Sequence, residues 1–328
     1  MITSCMVYIA PGFDPYENLA REQYLLEHLL PGQCILYLWQ NQNTVVIGRN
    51  QNAWAECRVA LLKEEGGKLA RRLSGGGAVF HDFGNLNFTF LMRQEDYDVD
   101  KQLSVIQQAC ALSGIRAEKS GRNDIMADGR KFSGNAFYHS KGNSYHHGTL
   151  LIHADMDKLQ RYLSPPKAKL EAKGVASVRS RVVNLQDLAP QLTVDTMKDF
   201  MVQAFEQIYG LAAKKLQLRT DAQGEIAALK KVNSSWGHLF GAPLPFTFQC
   251  EARFAWGGIR LDMDVKGGEI RGVKVYSDAM DWQLPAVVEK AFTGCRFSKD
   301  AMQTSLLSSL EENTICQDLC QMIQHQDI

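Results

Sequence analysis

The run from Arg71 to Gly77 is chemically the most unusual part of the sequence, because two arginines precede three successive glycines by two residues. Glycine has no Cβ atom, so the backbone N–H groups of such a run can approach a ligand closely. The guanidinium groups of Arg71 and Arg72 add planar donors that match carboxylate or phosphate oxygens. We therefore predict an anion site here, the alternative being a tight turn with two surface arginines. The run fits neither the P-loop nor the dinucleotide-binding pattern, so a nucleotide bound here requires a different fold.

A second candidate is Lys131, which follows the turn-forming pair Asp128-Gly129. If the flanking residues pair as a hairpin, Lys131 lies beside Asn123 or Asp124 of the other strand. A lysine among small residues, with a carboxylate nearby, is well placed to bridge two anionic ligands. The alternative is an ordinary exposed lysine near a turn.

His146 and His147 are adjacent, so a strand would place them on opposite faces and they cannot easily bind one metal ion. His139 and His153 do not complete a convincing set of ligands. We interpret the histidines as packing or hydrogen-bonding residues near a site. A divalent ion that arrives with nucleotide phosphates needs only a carboxylate or two from the protein.

The elements that would position these residues follow from periodicity and turn signals. Strands are predicted at 34–39, 44–48, 78–81 and 86–92, helices at 53–65, 99–113 and 194–209, a meander at 124–153 with turns at Asp128-Gly129 and Lys141-Gly142-Asn143, and three further strands within 246–276. The pattern predicts an α/β protein of the α+β type, with a mixed, largely antiparallel sheet packed by helices.

Length and composition limit the class of protein. The 328 residues favour one large domain and one small one, and the stiff segment 241–245 suggests domains at 1–245 and 246–328. Lys and Arg total 36, as do Asp and Glu, so no overall charge attracts nucleic acid or an anionic membrane. No apolar run is long enough for a membrane helix and no signal peptide is evident, so we expect a cytoplasmic protein. Eight scattered cysteines without a Cys-x-x-Cys pair argue against disulfides and structural zinc.

Three segments follow one another in a distinctive order: RRLSGGGAVFHDFGNLNFTF at 71–90, GRNDI with RKFSGNA within 121–136, and HHGTLLI at 146–152. Together they strongly resemble the lipoate–protein ligase A family. The resemblance extends upstream through 13–15 and 39–52, and downstream through KGVASVRSRVVNL at 173–185. From about residue 246 it continues less specifically into the small C-terminal domain of that family.

The resemblance implies a biotin/lipoate-ligase-like catalytic domain with a small α+β C-terminal domain, and a reaction in two steps. Lipoate and ATP, with Mg²⁺, would give lipoyl adenylate and pyrophosphate. The lipoyl group would then pass to a lysine of an apo lipoyl domain, in E2 subunits of 2-oxoacid dehydrogenases or in the glycine-cleavage H protein. Octanoate is a possible second acid, and the family pattern suggests a monomer that binds neither nucleic acid nor membranes.

The resemblance also implies roles for individual residues. Lys131 would touch both lipoate and the nucleotide and carry the catalytic charge. The remaining nucleotide contacts would come from Arg72, Gly77, Ala78, Val79 and Phe80, with Asn123, Asp124 and Arg179 as further candidates and Asp124 as a candidate Mg²⁺ ligand. The lipoate contacts would come from Lys131, Arg72, Gly75 and Gly76, with Trp39, Leu73 and His147 lining an apolar slot. The basic segment 167–181, on its own a solvated linker, would become a lid over the adenylate.

Four other functions are alternatives to this ligase reaction. An acyltransferase of the same fold that works through a cysteine thioester needs a thiol near Lys131, and residues 164–182 contain no cysteine. Transfer from a ready-made adenylate uses overlapping motifs, although the intact basic run favours full activity. Biotin ligation fits the AVFHD and GNLNFTF segments less well. A non-catalytic lipoate or nucleotide sensor is disfavoured because Lys131 and Arg72 are both retained.

Overall fold

Strand segments rich in Val, Ile, Leu and aromatic residues form the sheets of the large domain. A computed structural model describes residues 1–121, 124–163, 182–241 and 247–326. Its strands are β1 (Ser4–Ile9), β2 (Gln33–Trp39), β3 (Thr44–Ile47), β4 (Lys68–Arg71), β5 (Val79–His81), β6 (Asn85–Arg93), β7 (Glu118–Ser120), β8 (Asp124–Ala127), β9 (Arg130–Ser140), β10 (Asn143–Leu151), β11 (Ala213–Lys215), β12 (Phe248–Phe254), β13 (Gly257–Lys266) and β14 (Glu269–Ser277). A short 3₁₀ turn occupies Gln94–Asp96.

The helices lie mainly on the faces of the sheets. They are α1 (Pro15–Glu27), α2 (Ala53–Glu56), α3 (Val59–Glu64), α4 (Val99–Leu112), α5 (Met156–Tyr162), α6 (Leu185–Leu188), α7 (Val194–Tyr209), α8 (Ala222–Asn233), α9 (Trp236–Phe240), α10 (Leu284–Phe292), α11 (Lys299–Ser309) and α12 (Thr314–Gln324). None of these described helices is long and apolar enough to cross a membrane.

The main sheet has the order β11-β1-β2-β6-β10-β9-β8-β7. Its pairings are parallel between β11, β1 and β2 and antiparallel from β2 to β7, so the predicted mixed and largely antiparallel sheet is confirmed. A smaller sheet, β4-β3-β5, carries the glycine-rich run between two of its strands.

The meander takes its register from two tight turns. Asp128 and Gly129 have φ of 50° and 69°, and Lys141 and Gly142 have 50° and 76°. Positive φ at both central residues is the geometry of two-residue hairpin turns that match the twist of the strands. Both predicted hairpins are therefore confirmed, and the first of them brings β8 and β9 together.

Strand β2 is buried on both faces, and its alternate side chains enter two different cores. Cys34, Leu36 and Leu38 pack into the core beneath α4 and α7, while Ile35 and Tyr37 pack into the core beneath α1 and α8. This period of two divides one apolar strand between two helical layers. The sheet is thereby sandwiched, and its strand ends are left to build a site.

The single helix predicted at 53–65 is wrong, because the chain forms α2 and α3 with a break between them. Cys57 adopts an extended conformation with φ −139° and bridges to Leu163. The N–H of Arg58 donates to the carbonyl of Tyr162 at 2.9 Å. A tertiary β-bridge therefore overrides the local helical pattern.

The C-terminal part has its own core. Strands β12, β13 and β14 form an antiparallel sheet covered by α10, α11 and α12, as predicted for three strands followed by helices. This sheet touches the large domain beside the glycine-rich run, where the N–H of Ser277 donates to the carbonyl of Asn50 at 2.9 Å. Asn50 Nδ2 also donates to the carbonyl of Trp282 at 2.8 Å, and the guanidinium of Arg49 lies 4.5 Å from the centre of the Trp282 ring.

Candidate functional site

A cavity of about 200 Å³ lies where the glycine-rich run meets β9, β10 and the C-terminal sheet. Lys131 and Asp124 stand at its accessible rim, with side chains 35% and 32% exposed. Trp39 and His147 line its other end and are almost fully buried. The cavity therefore has a charged open end and a closed end with aromatic walls.

Lys131 is held by Asp124 across the first hairpin. Its Nζ lies 2.7 Å from Asp124 Oδ1, as the hairpin geometry predicts. A bulge between Ile125 and Met126 shifts the register of β8 against β9. Gly134 leaves space above the lysine, since a Cβ there would lie 3.1 Å from Nζ. The ammonium group is thus oriented toward the cavity and has room for a ligand.

Arg72 is buried, and its guanidinium organises the glycine-rich run. Nη2 donates to the carbonyls of Gly75 and Gly77 at 2.8 and 2.7 Å, Nη1 to that of Val46 at 3.2 Å, and Nε to Ser74 Oγ at 3.1 Å. These bonds use four of its five N–H groups, so within the described residues one N–H of Nη1 is left for the cavity. Burial lowers the pKa of Arg72 to about 10, and the group stays charged at neutral pH.

The prediction that both arginines stand at the anion site is wrong for Arg71. Its guanidinium points away from the cavity and donates to the carbonyls of His238 and Leu239 in α9 and to those of Gly48, Arg49 and Gln51. Carbonyl oxygens in a tight loop need donors just as anions do. Arg71 therefore fastens α9 to the loop that follows β3.

A chain of buried hydrogen bonds supports the closed end. Trp39 Nε1 donates to Thr89 Oγ1 at 3.0 Å, and Thr89 donates to Glu22 Oε1 at 2.7 Å. His147 Nδ1 lies 2.8 Å from the same oxygen, and its Nε2 lies 2.8 Å from Ser74 Oγ. The network links β2, β6, β10 and α1 to the glycine-rich run and fixes the orientation of the aromatic walls.

The C-terminal domain completes the cavity. Arg253, Asp278 and Met280 line it, and both Nη atoms of Arg253 lie 3.3 Å from Asp278 Oδ2. The N–H of Gly76 donates to the carbonyl of Ala279 at 3.0 Å, so the glycine-rich run is the docking edge. One wall of the cavity therefore depends on contacts between the two parts of the chain.

The structure gathers most of the predicted site residues around this cavity. Those that line it are Trp39, Arg72, Gly76, Gly77, Ala78, Val79, Asp124, Lys131 and His147. Three do not line it. Leu73 packs against the core beneath α1, Gly75 packs against the backbone of Met280, and the ring of Phe80 lies in the core 5.4 Å from Tyr162. Asn123, Arg179 and the basic segment 167–181 lie outside the described residues.

Other residues on the wall were not predicted. Some lie inside the three motifs that carry the family resemblance, so the motifs themselves contain the signal for them: His81, Asn87, Gly134, Asn135, Ala136, Gly148 and Thr149. Leu19 and Val46 look like ordinary core residues in the sequence. Arg253, Asp278 and Met280 carry no local signal, because only the docking of the two domains brings them here.

The chain is similar to known proteins over most of its length. Residues 14–206 match the family described as Lipoyl protein ligase A/B catalytic domain, and residues 244–323 match that described as Bacterial lipoate protein ligase C-terminus. A lipoate-protein ligase A of Blochmanniella pennsylvanica is 41% identical over 307 residues, which is 91% of each chain.

Solved structures agree with the sequence comparison. A crystal structure of P. falciparum LipL1 in complex with lipoate superposes with a TM-score of 0.85 at 26% identity, covering 98% of this chain and 99% of that one. A lipoate-protein ligase A bound with ATP gives a TM-score of 0.64 at 25% identity, over 74% of this chain and 99% of that one. The architecture of both domains is therefore shared with proteins of known structure.

Proposed function

The chain belongs to the lipoate–protein ligase A family of enzymes, and we propose that the cavity beside Lys131 is where it activates lipoate with ATP. One observation carries this assignment: a single cavity joins a lysine cation and a glycine-rich backbone at its rim to a closed aromatic end. Such a cavity has a place for two anions that must meet and for one apolar tail.

The first step joins a carboxylate to a phosphate. A carboxylate oxygen of lipoate attacks the α-phosphorus of ATP, the bond to the β-phosphate bridging oxygen breaks, and pyrophosphate leaves. Two negatively charged groups must approach, and Lys131 stands at the rim where both can reach its ammonium group. We assign further donors to the remaining Nη1 N–H of Arg72 and to the backbone N–H groups around Gly77, which line the same cavity. Fixed donors of this kind stabilise the charge that develops in the transition state.

The carboxylates that line the cavity fit a magnesium ion that arrives with the nucleotide. Asp124 and Asp278 place carboxylates on the cavity wall, and oxygen ligands are those that Mg²⁺ prefers. No group of three His, Cys, Asp or Glu side chains able to hold a metal occurs in the described part of the chain. Phosphate oxygens and water would therefore provide the other ligands. When bound, the ion would neutralise charge on the triphosphate.

The second step transfers the acyl group. The amine of an acceptor lysine attacks the acyl carbonyl of the adenylate, and AMP leaves. As acceptors we propose apo lipoyl domains of 2-oxoacid dehydrogenase E2 subunits and the glycine-cleavage H protein, with octanoate as a second acid and a monomer as the active form. We further propose residues 1–245 as the catalytic domain and 246–328 as an accessory domain that closes the cavity through Arg253 and Met280.

Pyrophosphate exchange tests this proposal directly. The protein is incubated with ATP, Mg²⁺ and labelled pyrophosphate, with and without lipoate, before any acceptor is added. We expect exchange that depends on lipoate, because the first step needs no acceptor. Absence of exchange, together with intact transfer from synthetic lipoyl adenylate, would contradict the ligase assignment and favour a transferase.

Lys131→Ala tests the central residue. We expect exchange to fall by roughly 100- to 1000-fold, as for other preorganised donors to a transition state. The fold should be unaffected, since Lys131 is partly exposed and its aliphatic stem adds little to the core. Lys119→Ala is the matched control, because Lys119 is a half-exposed lysine on β7 that pairs with Asp100 of α4. Near-normal exchange in Lys131→Ala would rule out the assignment of this lysine.

A further inference from the structure

His81 lies on the wall at the closed end of the cavity and is 3% exposed. Its ring makes an edge contact with Trp39, at 5.9 Å between ring centres. Its Nδ1 lies 3.1 Å from Asn41 Nδ2, and its Nε2 is buried without a hydrogen-bond partner among the described residues.

The surrounding network fixes which nitrogen of His81 carries the proton. Asn18 Nδ2 contacts the carbonyls of Gly12 and Gln40, so it is a donor, and it donates to Asn41 Oδ1 at 3.0 Å. Asn41 Nδ2 is then a donor to His81 Nδ1. Burial lowers the pKa of His81 to about 3, so the ring is neutral and the proton belongs on Nε2.

Asn87 offers a second donor at the same end. It lines the cavity, is 1% exposed, and pairs in register with Trp39 across β2 and β6. Its Oδ1 accepts from Asn85 Nδ2 at 2.9 Å, while its Nδ2 has no hydrogen-bond partner within the described chain. Trp39 therefore adjoins two buried N–H donors on two different strands.

An unpaired buried donor is unfavourable, so these two groups point to a ligand atom that accepts hydrogen bonds. Lys131 lines the accessible part of the cavity and Trp39 its buried part, so we place the carboxylate of the acid at Lys131 and its far end toward Trp39. In lipoate that end is a dithiolane ring with two sulfur atoms, which are weak and polarisable acceptors. In octanoate it consists only of C–H groups, which cannot accept.

We propose that the N–H groups of His81 and Asn87 bind the dithiolane sulfurs and make the site prefer lipoate to straight-chain acids. The inference rests on the proposed function. It assigns His81 and Asn87 to specificity and leaves charge stabilisation to Lys131, Arg72 and the glycine-rich backbone. Each N–H···S contact contributes a modest hydrogen bond that the straight chain lacks.

The test compares the two acids in the same variants. Values of kcat/KM for pyrophosphate exchange with lipoate and with octanoate are measured for the wild type, His81→Leu, His81→Gln and Asn87→Leu. We expect the lipoate-to-octanoate ratio to fall roughly tenfold in His81→Leu and in Asn87→Leu. His81→Gln should retain most of the preference, because its amide N–H can replace Nε2–H.

His139→Leu is the matched control, since His139 is a half-buried histidine bonded to Ser144 and is not among the residues that line the cavity. Its ratio should equal that of the wild type. Equal losses with both acids, an unchanged ratio in both leucine variants, or no retention in His81→Gln would each overturn the proposal. If His81→Leu does not fold, Asn87→Leu and His81→Gln decide.

Calorimetric titration with the two free acids separates this inference from the proposed function. A wild type that exchanges no pyrophosphate contradicts the proposed function. In that case the measured affinities for the two acids still test the dithiolane contact. It is supported if His81→Leu weakens lipoate binding roughly tenfold and leaves octanoate binding unchanged. Equal affinities of the wild type for both acids would refute it.

Discussion

Gly75→Ala offers a sharp test of whether docking of the C-terminal domain completes the site. A methyl group at this position would lie 2.8 Å from the carbonyl oxygen of Met280 and closer still to that of Ala279. Both obstacles are backbone atoms, so no change of rotamer removes them. Gly75 is not among the residues with positive φ, and alanine therefore adds no conformational strain of its own.

The expected magnitude follows from the contacts that must separate. Overpacking of a tight contact costs about 1–3 kcal/mol. Displacement also weakens the hydrogen bond from Gly76 to Ala279 at 3.0 Å, which is worth about 1 kcal/mol. The stacking contact between Arg49 and Trp282 can lengthen slightly, which reduces the free-energy cost of the displacement. We therefore expect the docked arrangement to lose about 2 kcal/mol, a shift of roughly thirtyfold between docked and separated states.

Hydrogen exchange read by mass spectrometry measures this shift at the contact itself. Peptides containing Gly76 and Ser277 should lose protection in Gly75→Ala, while those from α4 should not. The kcat/KM for pyrophosphate exchange should fall as well, because Arg253, Asp278 and Met280 leave the cavity wall. Gly224→Ala is the control, since a Cβ at Gly224 meets nothing within 4 Å. Unchanged protection together with unchanged exchange kinetics would refute the reasoning.

Two further predictions concern stability. Burial holds the pKa of His81 and of His146 at about 3, below the ordinary value of 6.5, so only the unfolded chain takes up these protons as the pH falls from 6.5. Stability is therefore full above pH 6.5 and is lost toward pH 3, by about 2 kcal/mol per histidine between pH 7 and pH 5. Urea unfolding at both pH values measures the loss, and equal free energies of unfolding would contradict it. Glu22→Gln should lower the free energy of unfolding by about 1–3 kcal/mol, because the bonds from Thr89 and His147 would then have a neutral amide oxygen as acceptor in place of a buried carboxylate. Glu27→Gln, a change near the end of the same helix, should leave it nearly unchanged, and similar losses in both variants would refute a special role for Glu22.

The sequence predicts the local elements well because their signals are short in range. A two-residue hairpin turn requires positive φ at both central residues, and Asp-Gly is a pair that adopts it readily. Asp128-Gly129 therefore indicates the hairpin that places Lys131 beside Asp124. The helix Val194–Tyr209 ends at Gly210, whose φ is 67°, as its pattern predicts. The break at Cys57 escapes prediction because the strand partner that causes it, Leu163, lies about a hundred residues away.

The candidate site divides in the same way. Arg72, Gly77 and Lys131 lie in contiguous motifs, so the sequence alone indicates these residues of the cavity lining, and the comparisons confirm the family that those motifs suggest. The wall of the cavity on the side of the C-terminal domain comes from Arg253 and Met280, whose neighbours in sequence are ordinary strand and turn residues. Docking of two separately folded parts has no local pattern, and this part of the site could not be predicted.

Residue type alone also does not show how many hydrogen-bond donors of a side chain remain available to a ligand. Arg71 and Arg72 are the same residue type. The guanidinium of Arg71 donates to carbonyls of α9 and of a neighbouring loop, whereas that of Arg72 keeps one N–H for the cavity within the described residues. His81 shows the opposite case: its ring is neutral and buried, yet its Nε2–H has no hydrogen-bond partner in the described ranges of the chain. In a buried site, a polar side chain can bind a ligand only through donors and acceptors that the fold has not already paired. Lys131 at the rim can bind the carboxylate of any acid and so cannot distinguish lipoate from octanoate. Under our proposal the distinction comes from the buried N–H groups of His81 and Asn87, which only the hydrogen-bond pattern of the folded chain reveals.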